Sequence, residues 1–381
     1  MNIKIEYIYN TFNYGSMMMG ITVINQLNKY LKDIKIFVKT LTEKDLERLR
    51  LETKANNLYP EDKSVKEDIV IYLGGDDFSE YYSIKRLESD LRHIKELSKE
   101  KLVMLIGQTI GPFTDYRIDL SRECLENVKI YTRDDNCMEY LQSINYKNVF
   151  KGRDLAFIDL PRQKEVKEIL DKYNLEKDSY ISVVTSGLIN KYTSDKNKFL
   201  EEQVNIINNI LKDERLNDKK VVLIPHVLKN PDDRDIVRSI IIKLKNSSSI
   251  DRIIPIYDEL VPSEAREILG NGKFTITCRM HAAVSTFYMR QPAIAISYGV
   301  KYEGVLGRGL DMSNLVIEAK NDLLWKENKI SKLVDEKVSY ILNNYENLVG
   351  KINKNVSENT NILESEIEDI MEQISKHKQL L

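Results

Sequence analysis

Short apolar runs alternate with longer amphipathic stretches along most of this chain, and few folds accept such a pattern. The runs "IKIEYIY", "IKIFVKTL", "DIVIYLGG", "LVMLIGQTIG" and "VKIYTRD" have strand length, and each ends in turn-forming or polar residues. Between them lie "GITVINQLNKYLK", "IKRLESDLRHIKELSKE" and "IDLSRECLENV", whose apolar residues fall at helical spacing. Strand–helix alternation of this kind predicts βαβ units and a parallel sheet.

A charged segment, "DLPRQKEVKEILDKYNLEKDS", interrupts the pattern, which then restarts with "YISVVTSGL", a helix around "FLEEQVNIINNILKD" and "KKVVLIPHV". It continues through "RIIPIYD", a helix "SEAREILGN", and the runs "FTITC" and "PAIAISY". The expected fold is therefore α/β, with two Rossmann-like domains facing each other across a cleft. The boundaries read as 1–160 for an N-terminal domain, 161–178 for a linker and helix, and 179–329 for a C-terminal domain. Residues 330–381 form C-terminal helices. There Val334, Val338, Ile341, Tyr345, Leu348 and Ile352, and again Leu363, Ile367, Ile370 and Ile374, repeat at three- and four-residue spacing. Two amphipathic helices joined near "NVSENTN" are expected, packed on the domains, with a homodimer-forming pair as the alternative.

In open α/β sheets, ligands bind outside the carboxyl ends of the strands, so chemistry is expected at those ends. The first strand leads into "NTFNYGSMMMG", a glycine-containing turn at a helix start that offers N–H groups to an anion and places Asn13, Gly15 and Ser16 there. Later strand ends carry Gly75 and Asp76 in "YLGGDDF", Gln108 in "IGQTIGPF" and Arg133 in "YTRDD". A plain turn explains Gly-Gly equally well, and an Arg-Asp neighbour pair is commonly a salt bridge. In the second half "LIPHV" ends a strand with His226, and "TITCRMHAAV" runs from a strand into a helix whose first turn holds His281. Tyr298 and Lys301 follow "PAIAIS". A histidine at a helix start suits proton transfer to or from a bound anion, although a capping or core role is the commoner fate. What favours function is that all these residues fall at carboxyl ends of strands.

Composition excludes several classes. Hydrophobic residues make up 42% and charged ones 30%, as in an ordinary globular protein, and a net charge of −2 does not advertise nucleic-acid binding. Three cysteines without metal-ligand spacing fit a reducing compartment, no metal site and no disulfide framework. "MNIKIEYIYN" reads as a strand, not a signal peptide, and no apolar run reaches membrane-spanning length. A cytoplasmic location is expected, with attachment at the inner face of the membrane left open.

The most specific stretch is "CRMHAAVSTFYMRQPAIAISYGVKYEGVLGRG", in which Arg279 and His281 precede Lys301 by about twenty residues in a chain with only 4 histidines. With "NYGS", "GGD", "GQTIGP", "TRD" and "PHV", it resembles the polysaccharide pyruvyl transferases over roughly residues 3–312. The resemblance implies a GT-B-like fold and a reaction in which phosphoenolpyruvate gives a pyruvate ketal on two sugar hydroxyls, with no metal or cofactor. It further implies functional roles for Arg133, Arg279, His281 and Lys301. Two departures stand out: Ser16 occupies a loop position where many relatives are acidic, and "GGDD" lacks a third glycine common there.

The donor brings a carboxylate and a phosphate, for which arginine forks and a lysine are suited partners. His281 is the first choice for proton transfer, and Asp76 is a candidate for activating the acceptor hydroxyl. Arg279 and Lys301 are assigned to phosphate and Arg133 to either donor anion. Asn13, Gly15, Ser16, Gly75, Gln108, His226 and Tyr298 would line the cleft or hold the acceptor. The expected partners are phosphoenolpyruvate and a sugar of capsule, exopolysaccharide or cell-wall glycan, free or linked to undecaprenyl diphosphate. A GT-B glycosyltransferase using a nucleotide sugar is the nearest alternative, and a non-catalytic glycan-binding relative the next.

Overall fold

The computed structural model describes every residue except Tyr9, Leu41, Tyr82 and Leu381. The ends of the runs "IKIEYIY" and "IKIFVKTL" fall on Tyr9 and Leu41 and so lie outside the described residues. The chain divides into two compact units: residues 1–11, 16–161 and 358–381 form the first, and residues 12–15 and 162–357 the second.

In the first unit the order is β1 (Asn2–Glu6), α1 (Tyr14–Tyr30), β2 (Lys35–Val38), α2 (Glu43–Thr53), β3 (Leu58–Pro60), β4 (Ile69–Gly75) and α3 (Ile84–Leu97). Then come β5 (Leu102–Gln108), α4 (Tyr116–Cys124), β6 (Lys129–Thr132), α5 (Asp135–Ser143) and β7 (Val149–Phe150). The first two residues of α1 cluster with the second unit. The strands form one parallel sheet in the order β3-β2-β1-β4-β5-β6-β7. Ile3 of β1 stands opposite Ile36 on one side and Ile69 on the other. Continuous apolar strands such as "IVIYL" in β4 are buried on both faces, as a helix-covered parallel sheet requires. Val70, Tyr72, Val103, Leu105 and Ile130 project into one core with Leu87, Leu91 and Ile94 of α3.

The second unit runs α6 (Ile169–Lys172), β8 (Tyr180–Val184), α7 (Lys196–Lys212), β9 (Lys220–Leu223), α8 (Asp233–Leu244), β10 (Ile253–Pro255) and α9 (Pro262–Asn271). It continues with β11 (Thr275–Thr277), α10 (Met280–Tyr288), β12 (Ala293–Ser297), β13 (Val316–Glu318), α11 (Asp322–Lys326) and α12 (Ile330–Lys378), whose last part clusters with the first unit. Its sheet is also parallel, ordered β10-β9-β8-β11-β12-β13. Both sheets thus start centrally, grow outwards on one side and then reverse. That reversal puts a crevice between β1 and β4 in the first unit and between β8 and β11 in the second, the place where Rossmann-like sheets hold ligands.

Two expectations are corrected. The short edge strands β3, β7 and β13 were not anticipated, because two or three residues leave too little periodicity to read. The C-terminal helices are not joined near "NVSENTN": α12 stays helical there, and its one non-helical residue is Asn344 (φ −126°, ψ 18°). Ile352, Val356, Asn359 and Leu363 are all buried, so the three- and four-residue spacing carries through the polar stretch. Asn, Ser and Thr lower helix propensity only modestly, and packing of that stripe outweighs it. Among the described residues no helix is long and apolar enough to cross a membrane.

Candidate active site

Seven of the residues singled out in the sequence meet in the second unit, at the carboxyl ends of its central strands. The chain after β9 turns through Pro225 and His226, and residues 12–15 pair with it in antiparallel fashion through an isolated bridge between Asn13 and Val227. Leu228 N donates to Phe12 O (2.9 Å) and Tyr14 N to His226 O (3.2 Å), while the Tyr14 ring meets the His226 ring edge-on at 5.3 Å. The Asn13 side chain accepts from Gly15 N (3.2 Å), shaping the turn that starts α1.

After β11 the Thr277 hydroxyl accepts from Arg279 N (2.8 Å) and donates to Arg279 O (2.9 Å), so the backbone folds tightly into α10. Arg279 occupies the N-cap position and His281 the first turn. His281 packs directly on Gly15: a Cβ there would come within 2.3 Å of His281 Nδ1 and 2.5 Å of its Cγ. No residue larger than glycine fits unless the imidazole moves.

The Arg279 guanidinium is buried and forks onto Asp233, Nε donating to Oδ2 (3.1 Å) and Nη2 to Oδ1 (2.5 Å). Burial alone would favour the neutral guanidine, but the charge and hydrogen bonds of Asp233 prevail and raise its pKa. His226 goes the other way. Its complete burial, reinforced by His281, Arg279 and Arg266 nearby, pulls its pKa well below the ordinary range and keeps the imidazole neutral.

On the far side of the site a tyrosine cluster supports Lys301. Its ammonium lies 5.0 Å from the centre of the Tyr298 ring, in cation–π range. Tyr298 stands edge-on to Tyr192 (5.2 Å) and Tyr302 (5.5 Å). Tyr302 Oη donates to the Cys278 carbonyl (2.8 Å), and Tyr192 Oη donates to the same carbonyl, fixing the peptide just before Arg279. Burial, then the neighbouring Tyr298, raises the Tyr302 pKa, so its phenol stays a proton donor. Burial likewise pushes the Cys278 thiol up to about 12, which makes it inert.

Asn13, His226, Arg279, His281, Tyr298 and Lys301 line one recess of about 70 Å³, completed by Met280 and Tyr302. The recess combines a guanidinium, an ammonium, a helix start and two imidazoles, a set suited to holding an anion and moving a proton beside it. Among the described residues no three His, Cys, Asp or Glu side chains are grouped to hold a metal ion.

The remaining five lie in the first unit and do not line this recess. Gly75 ends β4 at φ 141°, a conformation that favours glycine, and half-buried Asp76 follows, its carbonyl accepting from the Ser79 hydroxyl (2.7 Å). Gln108 is fully buried, its amide donating to Leu73 O (2.8 Å) and splinting β4 to β5. Arg133 is buried too: Nε (3.1 Å) and Nη2 (2.7 Å) donate to the Thr109 hydroxyl, and Nη1 lies 4.0 Å from Asp154. Ser16 is half-buried in the first turn of α1.

Asp233, Tyr192 and Tyr302 were missed in the sequence. Asp233 sits in "PDDRD", an acidic helix start that reads as an ordinary cap; Asp232 is the cap, and Asp233 turns inward.

Solved structures share this fold. UDP-GlcNAc 2-epimerase from Neisseria meningitidis bound to UDP-GlcNAc superposes with a TM-score of 0.61 at 11% identity, covering 98% of this chain and 100% of that one. The Methanocaldococcus jannaschii UDP-GlcNAc 2-epimerase in complex with UDP-GlcNAc and UDP gives 0.59 at 14% identity, over 88% and 92% of the two chains. At such identities the likeness speaks for the fold, which is GT-B-like, and not for the reaction. No curated protein sequence matches the chain. The family model described as polysaccharide pyruvyl transferase matches residues 13–300, which span the Asn13 turn, Arg279 and His281, and on that match this chain belongs to the polysaccharide pyruvyl transferase family.

Proposed function

We propose that the protein transfers the pyruvyl unit of phosphoenolpyruvate to two hydroxyls of one sugar in a bacterial surface glycan or its lipid-linked precursor, forming a pyruvate ketal and releasing phosphate. The observation that carries this reading is the grouping of Arg279, His281 and Lys301 on one recess, in a chain of this family.

The chemistry fits such a set. Protonation of the methylene carbon of the donor makes its C2 electrophilic. One sugar hydroxyl adds to C2, the C2–O bond to phosphate breaks, and the second hydroxyl closes the ring. Two hydroxyl protons are lost; in the balance one resides on the new methyl group and one on phosphate. Proton shuttling therefore suffices, and the enol phosphate is itself the activated donor. His281, at the start of α10, is the group we assign to that shuttling, worth typically about 10²–10⁴-fold in rate. Lys301 is assigned to the donor's negative charge, and so is Arg279, which presents a guanidinium already oriented by Asp233. Arg133 of the first unit remains our candidate for a donor anion, Asp76 and Ser16 of the same unit are candidates for the acceptor, and so are Asn13 and Gly15 of the second unit.

The experiment is phosphate release from phosphoenolpyruvate across a panel of galactosides, glucosides, mannosides and N-acetylhexosaminides, with nucleotide sugars as competing donors. Acceptor-dependent release with one glycan class is the expected result. Glycosyl transfer from a nucleotide sugar, with phosphoenolpyruvate inert, would overturn the reading.

A further inference from the structure

We infer that Asp233 is a positioning residue of this site: it orients Arg279 and ties together the three strand ends from which the recess is built. Its carboxylate is fully buried at the first residue of α8. Oδ1 accepts from Arg279 Nη2 (2.5 Å) and Gly187 N (2.8 Å), and Oδ2 from Arg279 Nε (3.1 Å), Val227 N (2.9 Å) and His226 N (3.2 Å). The Asp233 backbone N–H in turn donates to Val227 O (2.8 Å).

These partners follow β8 (Gly187), β9 (His226, Val227) and β11 (Arg279), three strands adjacent in the sheet. One carboxylate therefore sets the spacing of His226 and the orientation of Arg279. A plain structural salt bridge needs only the guanidinium. Here the same two oxygens also hold the backbone of the loop that presents His226, and His226 and Arg279 both line the recess. Two of the three guanidinium nitrogens face Asp233, so the Arg279 fork is locked in one plane before any ligand arrives. Pre-orientation of a charged fork removes its ordering cost from binding.

The inference rests on the pyruvyl-transfer reading for its kinetic consequence but not for its geometric one, and the test keeps the two apart. Wild type, Asp233→Asn, Arg279→Lys and the double variant are compared for kcat and KM towards phosphoenolpyruvate, with melting curves to confirm folding. Asp233→Asn keeps the shape but loses the charge. It is expected to lower kcat/KM about 100-fold, mainly through KM, the scale of a misplaced positioning group. Arg279→Lys keeps the charge but loses the fork, and is expected to lose a comparable factor. The double variant is expected to be no worse than the poorer single one, as for two residues acting through one interaction.

Multiplying losses in the double variant, or a lowered melting temperature with unchanged KM in Asp233→Asn, would overturn the inference. So would an unaltered KM in Arg279→Lys, which decides the matter even where Asp233→Asn fails to fold. The arm that needs no substrate is ¹⁵N-arginine NMR. The Arg279 Nε–H, assigned by its absence in Arg279→Lys, should exchange slowly in wild type and rapidly in Asp233→Asn. If wild type turns over no phosphoenolpyruvate, the functional reading fails while this arm still tests the positioning. Unchanged slow exchange in Asp233→Asn, or rapid exchange in wild type, would sink it.

Discussion

Asp233 in the second unit and Glu366 in the first are both buried carboxylates, and their surroundings treat them in opposite ways. Asp233 receives a bidentate guanidinium and three backbone amides. Glu366 accepts one amide hydrogen bond, from Arg153 N (3.0 Å), while its Oε1 has no hydrogen-bond partner among the described residues. Burial drives the Glu366 pKa well above the usual carboxylate range, with the nearby charge of Arg153 opposing only in part and Asp154 adding to the rise. A charge surrounded by donors can be kept and used. One left nearly alone is a group the fold tolerates, and it neutralises instead. The Asp233 pair stands where ionic groups of the second unit converge on a recess.

The widest break between the two regions should come at Gly15. Gly15→Ala places a methyl where His281 stands, so the imidazole is displaced. Acceptor-dependent phosphate release is expected to fall about 100-fold while the melting temperature changes little, since a displacement of order 1 Å suffices for such a loss. Equal activity in Gly15→Ala would show that the position of His281 does not matter.

A smaller effect, of opposite sign, is expected at Glu366. Because its folded-state pKa is raised, the folded protein holds this proton more tightly than the unfolded chain does. The stability it contributes is therefore present at low pH and is lost as pH rises through the unfolded carboxylate value and on towards the folded one. Glu366→Gln keeps the acceptor for Arg153 N and is neutral without taking up a proton, so it should raise stability at pH 8 by about 1 kcal/mol, the scale of one unsatisfied buried group. The gain should shrink towards pH 5. Melting curves at the two pH values check it, and a loss at pH 8 would mean the carboxylate is paired better than its contacts show.

The smallest effect belongs to Tyr302. Tyr302→Phe removes one hydrogen bond to the Cys278 carbonyl, which Tyr192 still satisfies. A loss of about 1 kcal/mol in denaturant unfolding is expected, with kcat/KM lowered less than about tenfold. A collapse of activity there would move Tyr302 into the chemistry itself.

Much of the fold was legible because parallel strands buried on both faces read as unbroken apolar runs, as in "DIVIYLGG" and "PAIAISY". The candidate site was legible in part: the strand-end rule found Asn13, His226, Arg279, His281, Tyr298 and Lys301, and the structure places all six on one recess. What it cannot say is which way a strand-end side chain turns. Gln108 and Arg133 also end strands, yet they point into the protein and bind Leu73 O and Thr109. Nor does local pattern separate Asp232 from Asp233: the first caps α8 through Arg234 N, and the second turns inward to Arg279, far away in sequence, and to the amides of Gly187, His226 and Val227. Side-chain direction depends on partners brought by the fold, and a periodicity argument does not see them.

The central claim, that the Arg279–His281–Lys301 recess protonates and transfers a pyruvyl unit, is tested most directly in D₂O. Wild type and His281→Ala would be incubated with phosphoenolpyruvate and the acceptor panel, and both phosphate and product mass followed. The expected result is stoichiometric phosphate and a ketal whose methyl group carries one solvent deuterium, both reduced at least about 100-fold in His281→Ala. Ketal formed without deuterium, or at full rate in His281→Ala, would contradict the assignment.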